Sequence, residues 1–447
     1  MRLKVIGGGL AGCEAAWQAA EQGITVELYE MRPDCTTGAH RTANLAELVC
    51  SNSLGSNLPN RASGLLKSEL RRLNSLLIAC ADASSLPAGG ALAVDRDQFS
   101  ARVEKKLKLH HRITIYRQEI KSIPNSPAII ATGPLTSPAL SHALKSLTGN
   151  QLFFFDAIAP VVEYESINMD IAFRANRYEF ENLDSGDYIN CPLDKETYHA
   201  FWDALVHAKR AAMQDFESEI DLGVDAGIPQ YFQGCQPVEV IASRGEKALA
   251  FGPMRPVGLV DPSTGRRPYA VVQLRQDNLT ADVFNLVGFQ TNLTFKEQER
   301  VFRMIPGLEH AVFDRFGQMH RNAFIAAPTL LDESLAFIQH PGVFVAGQLA
   351  GIEGYAGNIA SGLVAGINAA RFIEGRAPVV LPKTTMTGAL IYYITHADLK
   401  DFQPMKAIFG LLPKPLDNIR RSKKERYEFY TGRAMDDLEM YLRSNTV

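Results

Sequence analysis

Residues 3–30 constrain the possible fold more than any other stretch. An apolar strand, Leu3-Lys4-Val5-Ile6, runs into Gly7-Gly8-Gly9-Leu10-Ala11-Gly12. A helix follows, then a second strand, Thr25-Val26-Glu27-Leu28-Tyr29, closed by Glu30. Strand, glycine turn, helix, strand and terminal acid, in that order, form the pattern of a dinucleotide site. Gly7 allows the tight turn, Gly9 lets backbone approach a pyrophosphate, and Gly12 lets the helix pack close to the strand. Leu10 and Ala11 open the helix, whose N-terminal N–H groups and partial positive charge suit phosphates. Glu30 follows Gly12 by 18 residues, about where a carboxylate accepts from adenosine ribose hydroxyls.

A chain of 447 residues has room for two domains, or for one domain with a large insertion. Its apolar fraction of 46% and charged fraction of 21% are those of an ordinary globular protein. A formal charge of −3 excludes a wholly basic nucleic-acid coat, so any RNA contact needs a local basic face. The six cysteines, Cys13, Cys35, Cys50, Cys80, Cys191 and Cys235, show no metal-binding spacing. That predicts reduced thiols in a cytoplasmic protein without a metal site. The first strand begins beside Met1, which predicts no signal peptide, and no uncharged apolar run approaches the roughly 18 residues of a membrane span.

Along the chain, residues 63–80 carry apolar and basic positions at helical spacing, and residues 90–94 predict a short strand before a helix over Arg96–Lys108. Cys50 follows a short helix-like run. Ala128-Ile129-Ile130-Ala131-Thr132-Gly133 predicts a buried strand entering a glycine turn. Beyond about residue 150 the texture changes: 151–165 and 269–290 alternate like strands, with Trp202 in a helical stretch between them. The strand–glycine pattern then returns at Val343-Phe344-Val345-Ala346-Gly347-Gln348, followed by a helix from about Ile359 to Ile373. In that helix Gly362 and Gly366 put two side-chain-free positions on one face. A charged helical tail spans Lys414 to Arg443.

This division predicts an α/β architecture. A Rossmann-type domain of residues 1–150 and 330–447 carries an inserted α+β domain of residues 151–329. The long-range return of the strand–glycine unit is the arrangement of glutathione-reductase-like flavoproteins. It therefore argues for FAD, with Gly133, Gly347 and Gln348 facing the cofactor. Gln348 stands where such proteins usually carry Asp, and it can still bond a ribityl hydroxyl.

Several segments carry a close resemblance to a known family. They include Tyr29-Glu30-Met31-Arg32-Pro33, Cys50-Ser51-Asn52-Ser53, Pro87 to Arg96, Phe155-Asp156-Ala157-Ile158-Ala159-Pro160, Gly234-Cys235-Gln236-Pro237-Val238-Glu239, Phe251 to Gly258, Met319-His320-Arg321-Asn322 and Gly351 to Tyr355. On these the chain resembles the folate- and FAD-dependent tRNA (uracil-5-)-methyltransferases, and it is similar to them nearly end to end. It departs from their pattern at Gly55, Gly357, Asn358, Lys406 and Ile408.

The resemblance implies methylation of C5 of a T-loop uridine in tRNA, with 5,10-methylenetetrahydrofolate as carbon donor, FAD as hydride carrier and NAD(P)H as reductant. Uracil C5 is a poor nucleophile until a thiolate adds to C6, and a second group must then remove the C5 proton. Cys50 and Cys235 lie in matching motifs, Cys50 as the expected nucleophile and Cys235 as the acid/base thiol, with the opposite assignment open. Arg41, Arg244 and Arg255 are candidates for lowering the thiol's proton affinity, and Tyr355 for stacking on a pterin or flavin ring. Cys13, Cys80 and Cys191 read as packing residues. Two basic stretches, Arg102 to Arg117 and Arg420 to Arg426, offer phosphate contacts, the second the better candidate for tRNA. No obligate protein partner is evident.

Overall fold

A computed structural model of the chain describes residues 2–37, 39–149, 152–157, 159–177, 186–211, 236–278, 280–399, 402–415 and 422–445. Its first sheet has six strands in the order Ala336–Phe337, His340–Val345, Ala128–Ile130, Arg2–Ile6, Thr25–Glu30, Ile113–Arg117. All are parallel except the Ala336–Phe337 edge. Val5 sits opposite Leu28 on one side and Ile129 on the other. Ala128–Ile130 at the centre is apolar throughout and fully buried, whereas Arg2–Ile6 and Ile113–Arg117 alternate more and less buried positions.

Leu10–Glu21 and Tyr355–Ile373 form the tightest helix pair on this sheet. A Cβ on Gly362 would lie 2.2 Å from the Ala11 carbonyl oxygen, and one on Gly366 2.5 Å from that of Ala15. The two glycines thus allow backbone-to-backbone contact. This is the α/β, Rossmann-type architecture expected from the sequence.

A second sheet of six antiparallel strands runs Phe173–Arg174, Tyr188–Leu193, Ala270–Gln276, Val283–Leu286, Val161–Glu163, Phe313–Arg315. It has its own core, which includes Phe201, Phe284, Phe289 and Phe302. The ribbon Leu152–Ala157 with Met319–Phe324 pairs the outgoing and returning chain. Trp202 lies in the helix Lys195–Val206 and its indole N–H donates to the Ala242 carbonyl at 2.9 Å.

Three local expectations need correction. The helical stretch 63–80 is two helices, Ala62–Arg72 and Leu76–Asp82, because Asn74 turns the chain with φ +57°. The late helix begins at Tyr355 rather than near Ile359, with Gly354 at φ +83° as the turn into it. The run before Cys50 is a loop. Ala46 has φ +52°, its N–H is bound by the Gly8 carbonyl at 2.8 Å, and the Leu45 N–H by the Glu104 carboxylate at 3.1 Å. Tertiary partners take the donors that a helix would have used.

Candidate functional site

Gly7, Gly133 and Gly347 all have positive φ, +103°, +68° and +80°, and each follows the carboxyl end of one of three neighbouring parallel strands. Ligands of open α/β sheets sit at this edge. A Cβ on Gly7 would meet the Ala131 carbonyl oxygen at 2.4 Å, and one on Gly12 the Gly7 oxygen at 1.8 Å, whereas Gly9 faces open space. Gly9 is also the cap of the helix opened by Leu10 and Ala11, and no side chain caps it. A cleft with about 540 Å³ of empty space opens here, lined by Gly7, Gly9, Tyr29, Glu30, Thr132 and Thr136 among others.

Glu30 is buried at the rim. One carboxylate oxygen accepts from the Gly8 N–H at 2.9 Å, the other from Arg32 Nε at 2.8 Å and the Arg32 N–H at 3.0 Å. Burial pushes this carboxyl up, but the Arg32 bonds and charge and the Gly8 N–H outweigh it and hold it below the usual range. The acid is thus ionised and fixed in place, with lone pairs left for a sugar hydroxyl.

On the far side, the Gly347 N–H donates to Ser361 Oγ at 2.8 Å, and Gln348 Nε2 donates to Glu353 at 2.9 Å. Gly347 lies against Ala11 and Asn358, and Asn358 Oδ1 is a buried acceptor with no hydrogen-bond partner. An uncapped helix start, a side-chain-free turn and an orphaned acceptor fit a dinucleotide such as FAD.

Cys50 lies between the start of the late helix and the second sheet. Tyr355, the first residue of the late helix, accepts with its hydroxyl from the Cys50 N–H at 2.8 Å and the Ser51 N–H at 3.0 Å. Arg315 donates to the Cys50 carbonyl at 3.4 Å. Arg275 Nε donates to Asn52 Oδ1 at 3.0 Å, while Asn52 Nδ2 donates to the Gln276 carbonyl at 2.7 Å. Arg96 reaches the Leu48 carbonyl at 3.1 Å and Asp277 at 3.0 Å. Three arginines with one carboxylate thus brace residues 48–52.

Burial pushes the Arg275 guanidinium down and that of Arg315 to about 10, with Arg96 adding to both shifts and the charges of Asp277 and Cys50 opposing them. Arg315 therefore stays charged at neutral pH, but at a cost that a nearby anion relieves. The Tyr355 phenol is pushed up by burial first and then by the Cys50 charge. The Nε atoms of Arg96 and Arg315 are buried without partners.

These arginines are not the ones expected from the sequence. Arg41 pairs with Asp314 at 3.3 Å, Arg244 bonds Gln236, and Arg255 is exposed on the second-sheet region. A sequence signal did exist: in Gln273-Leu274-Arg275-Gln276-Asp277 the residues Gln273, Arg275 and Asp277 alternate on one strand face and are all buried. A buried polar face on a strand marks an interface or a site. Cys235 falls outside the described residues, as do Arg420 and Arg421. Cys13 and Cys191 are buried thiols pushed up by burial, and Cys80 is likewise pushed up to about 11. No cluster of metal-ligating side chains occurs among the described residues, and no helix there is long and apolar enough to cross a membrane.

Fold and cleft together define a flavoprotein-type α/β protein of one family. The chain belongs to the GidA family, whose model, glucose inhibited division protein A, matches residues 2–377. Within that family it belongs with the methylenetetrahydrofolate–tRNA-(uracil-5-)-methyltransferases. It is 52% identical over 449 residues to the protein of that name, TrmFO, from Heliobacterium modesticaldum, covering 100% of this chain and 99% of the relative. The one from Desulforudis audaxviator is 54% identical over 443 residues, covering 98% and 97%. Among solved structures, GidA of Aquifex aeolicus has a TM-score of 0.69 at 17% identity, over 98% of this chain and 73% of that one, a likeness of fold.

Proposed function

We propose that this chain methylates C5 of a T-loop uridine in tRNA, with methylenetetrahydrofolate as carbon donor. In this reading residues 1–150 and 330–447 hold FAD, residues 151–329 face the RNA, and NAD(P)H reduces the flavin in the cytoplasm. Gly7 to Gly12 and Glu30 hold the ADP half, and Gly133, Gly347 and Gln348 lie toward the flavin. Bound FAD supplies the hydride that turns a C5 methylene into methyl. The observation that carries the reading is the placement of Cys50 in a half-buried cationic niche between the start of the late glycine-rich helix and the second sheet.

The work of the chain's own residues follows from that niche. Arg315 and Arg275 favour the thiolate of Cys50, which adds to uracil C6 and leaves C5 electron-rich. Tyr355 holds the Cys50 and Ser51 backbone, so the sulfur enters from a fixed direction. Cys235, as its thiolate, takes the C5 proton and becomes the thiol.

The test combines the protein with FAD, NADPH, labelled methylenetetrahydrofolate and unmodified tRNA. Label in a T-loop uridine is the expected result, and no label in any RNA sinks the reading. With RNA carrying 5-fluorouridine, Cys50→Ala is expected to abolish the covalent adduct while Cys235→Ala retains it. The reverse pattern exchanges the two roles.

A further inference from the structure

Three phenylalanine rings form a ladder beside the Cys50 niche. Phe313 packs against the second core. Phe316 stacks on it with centroids 5.1 Å apart and planes 18° apart, and Phe295 stacks on Phe316 at 4.8 Å and 17°. The last ring is 48% exposed, so the ladder runs from the core to solvent and ends on an open aromatic face. Phe313 and Phe316 flank Arg315, which touches the Cys50 carbonyl.

The surroundings of the open ring are basic. Phe295 begins the helix Phe295–Phe302, Lys296 follows it, and the Thr294 N–H is held by the Lys209 carbonyl at 3.1 Å. Arg210 is bridged to Leu293, and Lys209, Arg210 and Lys296 are all exposed. Of the nearby acids, Glu297 pairs with Arg300 at 2.6 Å and also feels the Lys209 charge, buried Glu239 feels that of Arg210, and Asp314 pairs with Arg41 at 3.3 Å, which leaves five cations, Lys209, Arg210, Lys296, Arg300 and Arg41, to three acids. Positive charge is therefore in surplus here on a chain whose formal charge is −3.

We infer that Phe295 is a stacking platform for an unpaired base of the RNA substrate, with Lys209, Arg210 and Lys296 meeting the flanking phosphates. This rests on the proposed tRNA reading and adds to it where the RNA loop lies. A lone open ring amid cations is far too small for a stable protein interface, which needs about 800 Å² per partner. It does match single-stranded RNA, where each base offers a flat face and each phosphate a charge.

The experiment uses the full-length, FAD-loaded protein and a short single-stranded RNA carrying 2-aminopurine. Wild type is expected to quench the 2-aminopurine on binding. Phe295→Leu keeps an apolar side chain but loses the quench and about tenfold or more in affinity, while Phe295→Trp retains both. Lys209→Ala with Lys296→Ala is expected to flatten the salt dependence of binding by about 0.7 for each phosphate no longer neutralised. Reduction of the flavin by NADPH without RNA is expected to be equal in all variants, which shows that they are folded. Absence of the quench in wild type, or equal binding by Phe295→Leu, overturns the inference. Methyl transfer to tRNA by wild type, measured separately, decides the proposed reaction independently.

Discussion

Glu69 is completely buried in the helix Ala62–Arg72 and caps another helix, Met386–His396. It accepts from the Met386 and Thr387 N–H groups at 2.6 and 2.8 Å and from Thr387 Oγ1 at 2.7 Å. Burial nevertheless pushes it up to about 7. A carboxyl raised on folding stabilises fully below the ordinary carboxylate range, and that stability is lost as pH rises through 7. The loss amounts to up to about 3 kcal/mol. Nearby Lys67 is pushed down to about 7, so it adds a slope only above that pH. Between about pH 5 and 7, wild type is therefore expected to lose more stability in urea unfolding than Glu69→Gln. Parallel pH profiles for the two proteins would refute this. At the niche, Arg315→Met is expected to slow alkylation of Cys50 by iodoacetamide at neutral pH by about tenfold. Peptide mapping checks it, and an unchanged rate shows that Arg315 does not act on the sulfur.

The helix pair Leu10–Glu21 and Tyr355–Ile373 shows how a glycine can be indispensable in one helix and a weakness in another. Gly362→Ala pushes a methyl into the Ala11 carbonyl, and overpacking of this kind costs about 1–3 kcal/mol. Ala11 lies in the first turn of the helix that Gly9 caps, so weaker FAD retention is expected along with a lower urea midpoint. Gly432 lies exposed in the helix Lys423–Ser444, and a methyl group there would meet nothing within 4 Å. Gly432→Ala is accordingly expected to stabilise by up to about 1 kcal/mol. If both substitutions move the midpoint the same way, close packing does not explain Gly362. The spacing of Gly362 and Gly366 made the crossing legible before the fold was known. The break at Asn74 was only half legible: Asn takes the left-handed conformation more readily than any residue but Gly, and Ser75 caps the next helix, but the apolar and basic spacing runs on across both.

At the scale of the molecule, the chain around residues 48–52 and the helix opened by Arg96 meet the second sheet through polar groups. Asn52 bonds Arg275 and the Gln276 backbone, and Arg96 pairs with Asp277 in a contact whose side chains are only 15% and 11% exposed. Asp277→Asn leaves three arginines without their carboxylate, which is expected to cost about 3 kcal/mol. The variant should then gain more than wild type from sulfate over chloride at equal ionic strength. Equal gains would show that the arginines do not need the anion.

The dinucleotide turn was readable from the sequence because its chemistry is local: strand, glycines, helix start and Glu30 lie within one short run, and each glycine answers a backbone constraint beside it. The return at Gly347 was readable from the same kind of repeated local pattern. The Cys50 niche was only half readable. Cys50 stands in a recognisable motif, but Arg96, Arg275, Arg315 and Tyr355 come to it from four separate stretches of chain. No local rule selects those arginines over Arg41, Arg244 or Arg255. Tertiary packing, which gathers these four stretches around residues 48–52, alone decides which guanidinium groups lose water beside Cys50 and so makes the niche cationic.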